Sequence, residues 1–139
     1  MSLDRFCRKR VVTAHASEPV MDVACRMRDE HVGAVVIVST DGAPKGIVTD
    51  RDLVVRALAQ GGDPAAAIET VMTPDPVTLA RSERLDDVVA CMREDGIRRI
   101  PIIDDQGALV GLVSLDDISV LLAGELSASV AAVQNNRGP

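Results

Sequence analysis

Aliphatic residues recur along the chain in two rhythms. Val20, Val23, Ala24 and Met27, and later Leu85, Val88, Val89 and Met92, stand three and four apart, the spacing that one buried helix face requires. Two dense runs follow these stretches, AVVIV over 34–38 and IPII over 100–103, and both suit strands covered on two faces. Polar turns come next, STDGAPKG and DDQGALVG, in which Gly42 and Gly107 are free to take positive φ. Shorter apolar pieces, GIVT and GLVS, then lead into a second helical pattern. Before each first helix lies an extended piece, VVT or PVTL. Ser17 and Ser82 stand where an N-cap belongs, with Glu18 and Glu83 expected in the first turn. Gly61-Gly62 and Gly124 are expected to end the second helices.

These elements form one unit written twice. A shift of 65 residues aligns 12–56 with 77–121 without a gap, and 15 of those 45 positions are identical, where chance would give about three. Each copy reads β-α-β-β-α. One copy has too little core to stand alone, so the two are expected to pack around a pseudo-two-fold axis. The predicted class is α/β, or α+β in some schemes. The predicted divisions are a first unit with its lead over 1–66, a second unit over 67–125, and a tail over 126–139. In that tail Leu126, Val130 and Val133 mark one face of a last helix, and QNNRGP is expected to fray. The link from Gly61 to Pro76 carries an apolar patch that predicts a short packed helix.

Composition narrows the chemistry. There is no Trp, no Tyr and one Phe among 139 residues, so both core and any ligand wall must be aliphatic. The net charge of −6 argues against a nucleic-acid partner, and Arg8-Lys9-Arg10 reads as a solvated basic cluster. Cys7, Cys25 and Cys91 show no Cys-x-x-Cys spacing, which points to reduced thiols and a cytoplasmic setting. Cys25 and Cys91 fall in the helical patterns as buried, inert thiols. Two histidines, His15 and His31, do not make a metal site; His31 reads as a helix-end residue. No apolar stretch has transmembrane length, so no membrane is expected.

The candidate chemistry lies in GIVTDRDLVV (46–55) and GLVSLDDISV (111–120). Thr49-x-x-Asp52 and Ser114-x-x-Asp117 have the form of capping boxes, which need no ligand. They also open helices at the ends of strands, where unpaired amides can seat an anion and a carboxylate can hold a ribose diol. Both roles stay open at this point. Phosphate loops of the G-x-x-x-x-G-K-[ST] kind are absent, and no base is paired with a nucleophile, so catalysis is not expected.

The ordered set VMTPDPVTL, GIRRIPIIDDQGALVGLVSLDDI and GAVVIVSTDGAPKGIVTDRDLV resembles the cystathionine-β-synthase (CBS) domain family in its tandem arrangement, the Bateman module. The likeness runs from about Val11 to Leu122. The first copy departs from the pattern at its start, where CRKRVVTA replaces a VMT-like lead. The length left outside the pair suggests a small stand-alone module of bacterial type. The resemblance implies two clefts that take adenosine-containing ligands (AMP, ADP, ATP or S-adenosylmethionine) as regulatory ligands, with no cofactor required. It also implies a homodimer built through the helices, and a partner protein that the sequence does not identify. The ligand-facing positions it implies are Thr49 and Asp52, and Ser114 and Asp117. Arg98 and Arg99 match phosphate positions, and Thr13-Ala14 and Thr78-Leu79 match base or ribose positions. Val32, Gly33, Ala34, Val48, Ile100, Pro101 and Val113 complete the set. Gly33-Ala34 align with Arg98-Arg99, so the two clefts are expected to differ, one favouring phosphorylated ligands. Arg51 is placed equally well at the first cleft or on the surface. The competing expectation is a structural module for dimerisation or docking, with vestigial clefts.

Overall fold

A computed structural model of the chain describes residues 1–135. The segment 136–139, part of the tail expected to fray, lies outside the described residues. The first repeat forms β1 (Thr13–Ala14), α1 (Val20–Glu30), β2 (Ala34–Val38), β3 (Pro44–Thr49) and α2 (Asp50–Asp52), which continues as a π-helical segment, Leu53–Leu58. After β4 (Thr73–Pro74) the second repeat follows as β5 (Leu79–Ala80), α3 (Leu85–Asp95), β6 (Arg99–Ile103), β7 (Leu109–Ser114) and α4 (Leu115–Asn135). One sheet has the order β1-β2-β3-β4, the other β5-β6-β7. The hairpin turns use Gly42 and Gly107 at φ 83° and 81°, as the turn chemistry predicts. The predicted α/β class with two sheets and four α-helices is the one observed.

The two halves exchange their leads. Thr73 and Pro74 pair with Ile47 and Gly46 of the first sheet, while Arg8 pairs with Leu112 of the second. These contacts map onto each other under the 65-residue shift with the halves swapped, the signature of a two-fold relation. A 3-10 turn precedes each lead, Leu3–Arg5 and Ile68–Thr70. Ile68 and Val71 sit in the core of the first half with Val23, Met27 and Val35. Leu3 and Phe6 sit in the core of the second with Val88, Met92 and Ile100. Two glycines record the exchange. A Cβ on Gly46 would collide with the Met72 side chain, and one on Gly111 with Cys7 Sγ. Cys7 and Met72 are again 65 apart, so CRKRVVTA does supply a lead of the VMT kind, and the apparent departure disappears in three dimensions. The hairpins also meet directly, the Leu109 amide donating to the Gly42 carbonyl at 2.9 Å.

Several local expectations need correcting. Neither Ser17 nor Ser82 caps a helix; the caps are Pro19 and Arg84. A residue before proline is pushed out of the helical region, so Glu18 cannot join α1. Pro19 and Arg84 are in addition held extended by bridges to Ala67 and Ser2. Glu18 instead accepts from the His15 amide at 2.6 Å and from the Arg26 guanidinium at 2.6 and 3.2 Å, and Arg26 holds its carboxyl below the usual range. Gly124 does not stop a helix. Positive φ among the glycines occurs at 42, 61, 96 and 107, and α4 runs through Gly124 to Asn135, carrying Leu126, Val130 and Val133 as its own continuation rather than as a separate helix. Cys25 and Cys91 are half-buried, not sequestered. Burial, with a hydrogen bond to Asp95, pushes the Cys91 thiol up, which disfavours the reactive thiolate. Among the described residues no helix is long and apolar enough to cross a membrane.

Candidate functional site

The two Thr/Ser-x-x-Asp phrases do different things. At α2 the box closes on itself: the Asp52 amide donates to Thr49 Oγ1 at 3.2 Å and the Thr49 amide donates to Asp52 Oδ2 at 2.9 Å. The remaining early amides are also taken, Asp50 N–H by the Gly33 carbonyl at 3.0 Å and Arg51 N–H by the Asp50 carboxylate at 2.9 Å. The expected seat of free amides at this helix start is therefore already satisfied within the protein. Asp52 lies 3.7 Å from Arg56 as an i,i+4 pair, and Arg51 is exposed.

At α4 the box is opened. The Asp117 amide still donates to Ser114 Oγ at 3.0 Å, but the Asp117 carboxylate is gripped by Arg8. Arg8 Nε donates to one carboxylate oxygen at 2.8 Å and Nη2 to the other at 2.9 Å. This bidentate fork is the strong geometry for an arginine on a carboxylate. It pulls the Asp117 carboxyl below the usual carboxylate range, against the effect of burial, with Ser114 and the field of Arg99 acting in the same sense. Arg8, Lys9 and Arg10 are all exposed, as a solvated cluster requires, but two of them are also paired: Arg8 is pinned on Asp117, and Arg10 meets Glu30 at 3.0 Å.

Around this pair lies a cavity of about 190 Å³ between the two halves. Val11, Val12, Val32, Gly33 and Ala34 of the first half line it, facing Arg99, Leu112, Ser114, Asp116 and Asp117 of the second, with Arg8, Arg10 and His31 at its edge. His31 ends α1 in the left-handed conformation at φ 55°, which is how a helix-end histidine comes to face the cleft. Gly33 and Arg99 were expected in different clefts; they share this one. A Gly33 Cβ would stand 3.4 Å from Asp50 Oδ2 and 3.5 Å from Arg99 Nη2, so the space over this glycine is shared by an acid and an arginine. Arg98 diverges from its neighbour and pairs with Asp116 at 3.0 Å on the surface.

The cavity lining includes Val32, Gly33, Ala34, Arg99, Ser114 and Asp117 from the predicted set. It does not include Thr13, Ala14, Val48, Thr49, Asp52, Thr78, Leu79, Arg98, Ile100, Pro101 or Val113. Ala14, Val48, Ile100 and Val113 point into the cores, and Pro101 is fully buried, so these five could offer a ligand only main-chain atoms. The Thr13 carbonyl accepts from the Arg26 guanidinium at 2.8 Å. Sequence reasoning missed Arg8, Arg10, Val11, Val12, Leu112 and Asp116. The one visible signal was the basic triplet, which runs directly into Val11 and Val12 but meets an acid 109 residues away in sequence.

The Arg8–Asp117 pair has a pH signature. A carboxyl depressed in the folded state contributes stability that is present above its unfolded pKa and lost as pH falls through the folded one. Below the ordinary aspartate value of about 4, the wild-type melting temperature should fall more steeply than that of Asp117→Asn. Melts stepped from neutral to acid measure this, and parallel curves would contradict it.

A family model described as the CBS domain matches the chain twice, over residues 3–58 and 68–124. A Methanopyrus kandleri protein, MK0525, is 36% identical over 119 residues, 85% of this chain and 61% of its own length, so the chain spans under two thirds of that relative. The CBS domain-containing protein YhcV of Bacillus subtilis is 36% identical over 111 residues, covering 80% of this chain and 78% of that one. Among solved structures, the CBS domain pair of protein MJ0100 in complex with 5′-methylthioadenosine and S-adenosyl-L-methionine superposes with a TM-score of 0.80 at 30% identity, covering 90% of this chain and 98% of that one.

Proposed function

The chain belongs to the CBS domain family as a tandem pair, and from that premise we propose that it is a cytoplasmic regulatory module that binds an adenine nucleotide or related adenosyl ligand in the cleft between its halves. One observation carries the reading: a cavity that joins an acid suited to a ribose, Asp117, to three arginines, Arg8, Arg10 and Arg99, between aliphatic walls. Carboxylates accept from ribose hydroxyls, and guanidinium forks grip phosphates. The adenosyl ligands named for the MJ0100 pair support the class of ligand. Val32, Gly33 and Ala34 come from one half and Ser114 and Asp117 from the other. A ligand there therefore touches both halves and biases their relative setting by its differential affinity for the two arrangements. Thr49 and Asp52 are the positions that the two-fold relation matches to Ser114 and Asp117, and there the closed capping box leaves less for a ligand to use.

Exposed Met21, Val54, Val55, Leu58, Val89 and Leu122 on the helices favour self-association, and we assign the module a homodimer through these faces. They are also the ground for a second reading, a docking scaffold whose cleft is unused. A thermal-shift panel of AMP, ADP, ATP, 5′-methylthioadenosine and S-adenosylmethionine separates the two. Ligand at about 100 times its Kd adds about 2.7 kcal/mol, a rise of roughly 8 °C for a chain of this size. Unmoved melting curves across the panel would leave the scaffold.

A further inference from the structure

We infer that Arg8 makes this cleft select adenosyl ligands that carry a phosphate over those that do not. The inference rests on the reading that such a ligand enters here with its ribose on Asp117. Arg8 and a ribose diol compete for the same acceptors, since the guanidinium already takes both oxygens of that carboxylate at 2.8 and 2.9 Å. Each oxygen keeps a further lone pair, so the competition is for the bidentate position, and a diol that takes both oxygens in the fork's place must release Arg8. The release is a side-chain swing and not a movement of the strand, because the Arg8 main chain is tied to Leu112 by two hydrogen bonds, at 2.9 and 3.0 Å.

What happens to the released guanidinium decides which ligands bind. Asp116 also lines the cavity, but it is held by Arg98 at 3.0 Å. Arg10, Arg99 and His31 are the other charged or titratable side chains of the lining, and they repel a guanidinium or leave it indifferent. Arg99 enters no ion pair among the described residues. A neutral or cationic adenosyl ligand therefore breaks a bidentate pair and leaves the Arg8 guanidinium with no unpaired acid in the cavity lining; the further carboxylate, Asp50, stands on the Arg99 side of Gly33 and accepts the Arg51 amide. A phosphate on the same ligand supplies that partner, and Arg99 adds a second donor set. Recognition of the diol is in this way made conditional on the anion. The pseudo-equivalent position in the other half is Thr73, 65 residues on, and Asp52 there is held by its own capping box and approached by Arg56 only at 3.7 Å, so a bidentate arginine on the acid belongs to the Asp117 side alone.

Calorimetric titration of wild type, Arg8→Ala and Arg8→Lys with adenosine, 5′-methylthioadenosine and AMP tests this. Wild type should prefer AMP to adenosine by at least about 10-fold, the scale of one charge-assisted pair. In Arg8→Ala adenosine and 5′-methylthioadenosine should tighten by about 3- to 10-fold while AMP weakens, so that the preference falls by at least about 3-fold, to the part that Arg99 supplies. Arg8→Lys keeps a charge but loses the fork; it should tighten the neutral ligands and retain part of the AMP preference. Equal weakening of all three ligands in both variants, or an unchanged ratio, would overturn the competition while leaving the cleft reading intact. No binding of any ligand by wild type would overturn the cleft reading and this inference with it.

Discussion

Ile68→Ala should lower the free energy of unfolding by about 2–5 kcal/mol. Ile68 is completely buried in the core of the first half, yet it comes from the segment that joins the halves. Truncation removes its packing and leaves a cavity that fixed neighbours such as Val23 and Val35 can only partly fill. The main chain has no freedom to collapse. The Ile68 amide donates to the Glu18 carbonyl at 2.8 Å, and the Ile68 carbonyl accepts from the Val71 and Met72 amides at 3.1 Å. At roughly 3 °C per kcal/mol for a chain of this length, the melting temperature should drop by about 6–15 °C. Val120→Ala is the control, since that side chain is 74% exposed, lies outside the faces assigned to the dimer, and its loss should stay within about 0.5 kcal/mol. Chemical denaturation with both variants checks the contrast. Comparable losses would mean that the linking segment is not part of the core.

Asp117→Asn should weaken 5′-methylthioadenosine binding by about 10-fold net: exchanging a charged acceptor on a diol for a neutral amide costs more than the ligand regains by no longer displacing Arg8. The same change should leave the helix start largely intact, because the amide of residue 117 still donates to Ser114 Oγ and asparagine remains compatible with the first turn. The expected pattern is therefore a large loss of affinity with a small loss of stability. Asp52→Asn should show the reverse, because Asp52 closes its own capping box. Titration of both variants, each with its melting curve, gives the comparison. Equal affinity losses would place the ligand on both phrases alike.

Period and repeat made most of the architecture readable in advance. The helical spacing of Val20, Val23 and Met27, the runs at 34–38 and 100–103, and the turn glycines at 42 and 107 are local signals, and they lead to local structure. The exchange of leads was not readable, because it depends on which half a short strand chooses, and neither Cys7-Arg8 nor Thr73-Pro74 carries a periodic mark. Helix starts were misplaced for the same reason. Ser17 and Ser82 have the right chemistry for caps, but bridges from the opposite half hold Pro19 and Arg84 extended. At the site, Ser114 and Asp117 were legible as a phrase. That Asp117 would leave its capping box for Arg8 was not, since 109 residues separate the two. Gly33 and Arg99 were placed apart by alignment and brought together by the two-fold relation.

Reciprocal exchange also sets an order on biosynthesis. Leu3 and Phe6 leave the ribosome ahead of both repeats, but the strands and helices that cover them, β6, β7, α3 and α4, belong to the second. These two side chains stay uncovered until the second repeat has emerged, a standing demand on chaperones or on fast closure. The first half has no such wait: its missing pieces, Ile68 and Val71, follow within a few residues of its own last helix, so it is the natural template on which the second half completes.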